Sequence, residues 1–191
     1  MAVARRGGER VLIRAPVAAD RAAYMAAMRA SRNLHRPWVA PASDDTFDRL
    51  LACVADERYE PRLVCRAEDG AMAGFINLNE IVRGRFQNAY LGYAAMAPHA
   101  GKGYMSEGLE LVLELAFTEL GLHRLEANIQ PANQPSIALV RRAGFVYEGF
   151  SERYLKIGGR WRDHERWAIR VEQWRGRRRT AAGNDNRGGS G

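Results

Sequence analysis

Residues 89–105 constrain this chain more than any other stretch. An apolar run, Ala89-Tyr90-Leu91-Gly92-Tyr93-Ala94-Ala95-Met96, leads through Ala100-Gly101-Lys102-Gly103-Tyr104-Met105 into a long amphipathic segment. There Met105, Leu109, Val112, Leu113, Ala116, Phe117 and Leu120 recur at spacings of three and four, with Glu107, Glu110 and Glu114 elsewhere and Gly121 after them. This is a helix with one apolar face and a glycine stop. Strand, glycine turn and helix in succession also make an anion site. The first-turn N–H groups lack an intrahelical acceptor, and the helix dipole adds about half a positive charge there. The glycines let the backbone close on a phosphate.

The flanking segments supply the rest of an α/β domain. Residues 10–14 read as a first strand, after which Pro16 and Asp20 open a helix with Tyr24, Met25 and Met28 on one stripe. A loop at 34–41 is stiffened by Pro37 and Pro41, and Ser43 is the expected N-cap of a helix bearing Phe47, Leu50, Leu51 and Val54. Segments 63–67 and 72–82 pair about Gly70. After the long helix come a strand at 124–130, a helix at 134–142, and two closing strands at 145–157 and 161–171 joined by Gly158-Gly159. No repeat or linker interrupts this order. The expectation is one domain over 10–174, with a mixed central sheet of about six or seven strands flanked by about four helices. Residues 1–9 are read as a flexible basic N-terminus and 175–191 as a basic disordered tail.

Charge placement narrows the partners. The 191 residues carry a net charge of +7. Residues 1–14 hold four Arg against Glu9, and residues 170–191 hold six Arg against Glu172 and Asp185, so the body between is neutral. A neutral body with basic ends does not wrap nucleic acid across its main face. The tail reads as a solvated end, with RNA contact as the alternative. No apolar run approaches the ~18 residues of a membrane span, and no stretch has signal-peptide length, so a cytoplasmic protein without a membrane partner is expected. Cys53 and Cys65 read as reduced thiols. His35, His99, His123 and His164 lack metal-ligand spacing, and no metal is expected.

Further blocks stand in a recognisable order: Pro37-Trp38, Leu91-Gly92-Tyr93, Gly101-Lys102-Gly103-Tyr104-Met105-Ser106-Glu107, Leu122-His123-Arg124-Leu125-Glu126-Ala127, and Asn133-x-x-Ser136-Ile137. They continue with Ala143-Gly144-Phe145-x-x-Glu148-Gly149 and Gly158-Gly159-Arg160-Trp161-Arg162-Asp163-His164. Over residues 10–171 this resembles the GNAT acetyltransferases, in particular the branch that acetylates the N-terminal alanine of ribosomal proteins. The resemblance implies a GNAT-like domain using acetyl-CoA as co-substrate. It implies that the backbone of Ala94, Ala95 and Met96 pairs with the pantetheine arm. Backbone N–H groups from Ala100, Gly101, Lys102, Gly103, Tyr104 and Met105 would hold the pyrophosphate, and Asn133 would hydrogen-bond the pantetheine. Two positions depart from the family pattern. Pro98 stands where Gln or Arg is usual, and Val140 stands where many members place the tyrosine that protonates the leaving thiolate. Ser136 resembles the serine of the N-terminal branch and is the candidate acid; its other reading is a helix N-terminal polar residue.

The chemistry asks for a neutral amine, a polarised thioester and a proton for sulfur. An α-amine with pKa about 7.8 is roughly one-third neutral at pH 7.5, against about 0.1% for a lysine. Candidate carboxylates for proton removal, directly or through water, are Glu80 and Glu126, with Glu148 third, each alternatively an ion-pair partner of a nearby Arg. The donor to the carbonyl oxygen is expected to be a backbone N–H near Met96. Trp38 and Tyr93 are candidate walls of the acceptor pocket. The acceptor expected is the N-terminal α-amine of a protein, such as a ribosomal protein with N-terminal Ala or Ser. The basic tail is then a candidate ribosome contact, and the chain a monomer or homodimer. The alternatives are a small amine such as a polyamine or aminoglycoside, and a non-catalytic acyl-CoA-binding or RNA-associated module. The sequence holds no acidic cluster, which favours the peptide.

Overall fold

The structure is a computed structural model and describes residues 5–185. Its strands are β1 (Arg5–Gly7), β2 (Val11–Arg14), β3 (Glu60–Arg66), β4 (Met72–Val82), β5 (Asn88–Ala95), β6 (Arg124–Ile129), β7 (Val146–Ile157) and β8 (Arg160–Arg170). They form one sheet in the order β1-β2-β3-β4-β5-β6-β8-β7. Only β5 and β6 are parallel. A parallel pair requires a crossover, which α4 (Tyr104–Glu114) supplies. The other helices are α1 (Arg21–Ala30), α2 (Arg32–His35), α3 (Thr46–Ala52), α5 (Gln134–Arg142) and α6 (Val171–Asp185).

Period-two alternation sorts the apolar side chains onto two faces. Val11, Ile13, Val64, Ile76, Leu78 and Leu125 meet Leu109, Val112 and Leu113 of α4 on one side. Leu63, Cys65, Phe75 and Ala94 meet Tyr24, Met28, Phe47 and Leu50 of α1 and α3 on the other. Gly108 lets α4 lie close: a Cβ there would stand 2.8 Å from Val64 Cγ1. The helix ends in a π-helical turn, Leu115–Glu119.

The expected mixed sheet is present, with β1 added at its edge. Three expectations need correction. Residues 5–7, inside the segment read as flexible, form β1 and pair with β2 through Arg5–Arg14. Ser43 does not cap α3, which begins at Thr46; its hydroxyl donates instead to Asp45 Oδ1 at 2.6 Å. The segment from 175 to 185, read as disordered, is helical in α6. Its anchors are remote in sequence. Trp174 is buried against Phe117, with ring centroids 5.5 Å apart. Arg177 reaches Glu110 (3.0 Å) and the carbonyls of Arg142 and Ala143, and Arg178 reaches Glu114 (3.4 Å). Basic residues at the C-terminal end of α5 also complement its dipole. Residues 186–191 lie outside the described residues.

Candidate active site

β5 and β6 part company early. Their register covers only Asn88–Arg124, Ala89–Leu125 and Tyr90–Glu126, while β5 stays paired to β4 as far as Ala95. Beyond Tyr90 one edge of β5 therefore faces a gap. Met96 N–H donates to Ala73 O on the β4 side (2.8 Å). By ladder alternation, the N–H and C=O groups of Leu91 and Tyr93 and the N–H of Ala95 point to the gap, the Ala95 carbonyl being bonded to His35 Nε2. An extended amide chain would complete that edge, which is the fit required for a pantetheine arm. The amide of Met96 is thus already engaged, as is Ala97 N–H, which donates to Ser31 Oγ at 2.8 Å. Ala94 and Met96 are buried, and between them Ala95 N–H faces the gap.

The same strand end leads into the glycine loop. Gly101 and Gly103 adopt φ of +74° and +85°, and Gly103 is the N-cap of α4. Positive φ at both places turns the chain so that α4 starts directly beyond the strand. Its first-turn amides, to which Tyr104 and Met105 contribute, have no intrahelical acceptor. Lys102 is exposed beside them, with its carbonyl held by Arg10 Nη1 (3.2 Å). Glu107 braces the loop from behind, accepting from Arg10 N–H (2.6 Å), Val11 N–H (3.1 Å) and Arg10 Nε (3.1 Å). Burial pushes its carboxyl up, but these donors outweigh burial and hold it below its ordinary value.

Across the gap stands the N-terminus of α5. Asn133 Oδ1 caps it by accepting from Ser136 N–H at 3.3 Å. Ser136 Oγ lies 2.5 Å from Tyr93 Oη. Burial of the phenol outweighs the opposing effect of Ser136 and pushes it up to about 12, so Tyr93 stays protonated across the physiological range. Tyr93 was read as a pocket wall; the structure joins it to the candidate acid. Val140 is fully buried in the core.

The carboxylates separate in character. Glu126 is opposite Tyr90 at the last paired position before the gap, and accepts from Arg124 Nε at 3.2 Å. Glu80 is exposed on a bulge, with φ +51°, and accepts from Tyr59 Oη at 3.0 Å. Both lie near Tyr90, whose hydroxyl is raised by burial and then by the charge of Glu126, with Glu80 contributing less. Glu148 is gripped by both Arg124 amino nitrogens (2.7 and 2.5 Å), and that guanidinium holds it below the usual carboxylate range. It is an ion-pair partner. Two residues on this sheet face went unread: Asn77 and Asn128 each have a buried Oδ1 with no partner. Their signal was polar residues at alternate positions of central strands, where an enclosed sheet would be apolar.

The opposite wall comes from α1 and α2. Ser31 and His35 are buried. Ser31 Oγ donates to Ala27 O (2.7 Å) while accepting from Ala97, and His35 Nε2 bonds Ala95 O at 2.8 Å. Trp38 follows, its N–H on His35 O at 2.7 Å. His123 bonds Glu172 (3.1 Å) and His164 bonds Arg162 O (2.9 Å). Cys53 and Cys65 form no disulfide, no metal-binding group occurs among the described residues, and none of their helices is long and apolar enough to cross a membrane.

Known proteins resemble this chain. The chain is 43% identical over 114 residues to the probable N-acetyltransferase YjcK of Bacillus subtilis. It is 36% identical over 107 residues to the [ribosomal protein uS5]-alanine N-acetyltransferase of Escherichia coli. These alignments cover 60% and 56% of this chain but only 62% and 55% of the relatives. The Mycobacterium smegmatis RimJ structure, in complex with CoA-disulfide, superposes with a TM-score of 0.78 at 28% identity, over 85% of this chain and 82% of that one. Residues 10–146 match the acetyltransferase (GNAT) domain, so the chain belongs to the GNAT acetyltransferase family.

Proposed function

We propose that the protein transfers the acetyl group of acetyl-CoA to the N-terminal α-amine of a protein or peptide. The observation that carries this reading is the gap beyond Tyr90 and Glu126, with the glycine loop at one end and the Tyr93–Ser136 pair on its flank. The likeness to the uS5-alanine N-acetyltransferase and to RimJ supports a protein acceptor. Acetyl-CoA supplies an acyl group activated as a thioester. The gap-facing backbone of Leu91, Tyr93 and Ala95 binds its amide arm, the amides of residues 100–105 and Lys102 hold its phosphates, and Asn133 adds a side-chain contact.

The remaining work falls to four side chains. Glu126, through water, removes the proton that the amine loses as its nitrogen bonds to the carbonyl carbon, with Glu80 as the second carboxylate on that face. As the carbon–sulfur bond breaks, Ser136 delivers a proton to sulfur. Tyr93 donates to the serine oxygen and so stabilises it as its own proton leaves. Turnover of Ala- and Ser-initiated peptides, followed by thiol release, tests the reading. Blocking the α-amine should abolish it, and spermidine and an aminoglycoside run alongside should be poor substrates. Turnover of the small amines alone would overturn the protein-acceptor assignment.

A further inference from the structure

Beside the strand end lies a cavity of about 280 Å³, lined by Met28, Arg29, Arg32, His35, Arg36 and the loop 39–42. Its floor is apolar, since Met28 is buried and Val39 and Ala42 pack on the same core. Its rim is cationic. Arg29, Arg32 and Arg36 are exposed, and none of the three guanidiniums has a hydrogen bond or ion pair among the described residues. The sequence leaves them uncompensated, because residues 21–43 contain no Asp or Glu. Of the flanking carboxylates, Asp20 is held by Arg14, Asp45 by Arg49 and Asp48 by Arg21, while Asp44 is exposed and outside the cavity lining. The cavity shares His35 with the active site, where that ring bonds Ala95 O.

We propose that this cavity is the acceptor's specificity subsite and takes an acidic side chain of the substrate polypeptide, a few residues after its α-amine. The inference rests on the peptide-acceptor reading above. Three unpaired guanidiniums over an apolar floor suit a carboxylate on an aliphatic stem, since guanidinium binds carboxylate in a bidentate fork. The same rim repels a polyamine, which would bring like charge to it. Because the arginines are exposed, the preference is salt-sensitive, with a screening length of about 8 Å at physiological ionic strength.

The test uses the full chain and three Ala-initiated peptides that differ only in Glu, Gln or Lys at the third to fifth positions. The wild type should show kcat/KM falling about tenfold from Glu to Gln, mostly in KM, and further to Lys. The preference should shrink as salt rises. Arg32→Gln should erase the preference, and Arg32→Glu should invert it in favour of the Lys peptide. A structural role cannot produce that inversion. Binding of each N-acetylated, fluorescein-labelled peptide to the CoA-loaded protein gives the same ranking without requiring turnover. Equal kcat/KM for all three peptides would overturn the subsite and leave the acetyltransferase reading intact. Turnover of spermidine with no turnover or binding of any peptide would overturn both. Weakened CoA binding in Arg32→Gln, with peptide preference unchanged, would assign the rim to the cofactor's phosphates and overturn the subsite.

Discussion

The two walls of the active site are built from different materials. The wall proposed for the cofactor is backbone: a strand edge freed at Tyr90, two glycines at positive φ and a helix N-terminus. The wall proposed for the acceptor is side chain: Ser31 and His35 pinning the strand end, then three arginines around an apolar floor. Backbone donors recognise a phosphate or an amide whatever the neighbouring side chains, so Pro98 in place of Gln or Arg costs that wall little. The side-chain wall can be retuned by single substitutions. The molecule thus pairs a fixed cofactor half with an adjustable acceptor half.

Predictions that would break or sharpen this contrast run from large to small. Ser136→Ala should lower kcat by about 100-fold, the scale of a lost general acid, with the KM for acetyl-CoA nearly unchanged. Tyr93→Phe should show a smaller fall of the same kind; a rise in KM alone would place the pair in binding. Gly103→Val should weaken acetyl-CoA binding about tenfold to 100-fold by calorimetry, because a β-branched residue at φ +85° is strained by about 1–3 kcal/mol. Normal binding in that variant would break the claim that the cofactor wall is backbone geometry. His35→Ala should lower stability by about 1–3 kcal/mol in chemical denaturation, since it leaves Ala95 O unpaired, and should lower kcat for every acceptor alike.

The pH dependence separates the halves again. With a peptide acceptor, kcat/KM should climb with pH and level near about 8, where the α-amine becomes neutral. A climb continuing past about 9 would indicate a side-chain or polyamine amine. The smallest effect concerns Glu107. Its carboxyl is held below the ordinary value in the folded state, so the stability it contributes is present above pH 4.5, the ordinary value, and is lost as pH falls toward the folded value. Glu107→Gln should flatten the acid limb of a stability–pH curve at low salt.

Much of the strand, glycine turn and helix proposed for the cofactor was legible because their signals are local. The apolar strand, Gly101 and Gly103, and the helix stripe from Met105 to Leu120 lie within one short window, and α5 was bounded correctly at 134–142. The acceptor half resisted reading because its contacts are remote: Ser31 meets Ala97, and His35 meets Ala95. The same distance hid α6, whose composition suggests disorder while Trp174 and Arg177 find partners on α4 and α5. Tyr93 and Ser136, 43 positions apart, were each singled out for separate reasons, and only the fold joins them.

The short β5–β6 register has a mechanical consequence. Among the described residues the ladder between β1–β5 and β6–β8 is three residue pairs, preceded by Gln87 O, which accepts from His123 and Arg124 N–H, so the two parts of the sheet are joined along a narrow seam. A substrate amide chain lying in the gap acts as a missing strand and lengthens that seam. On the proposed reading, a bound arm would therefore stiffen the joint between the two parts of the sheet, with the backbone amides of Leu91, Tyr93 and Ala95 at the contact.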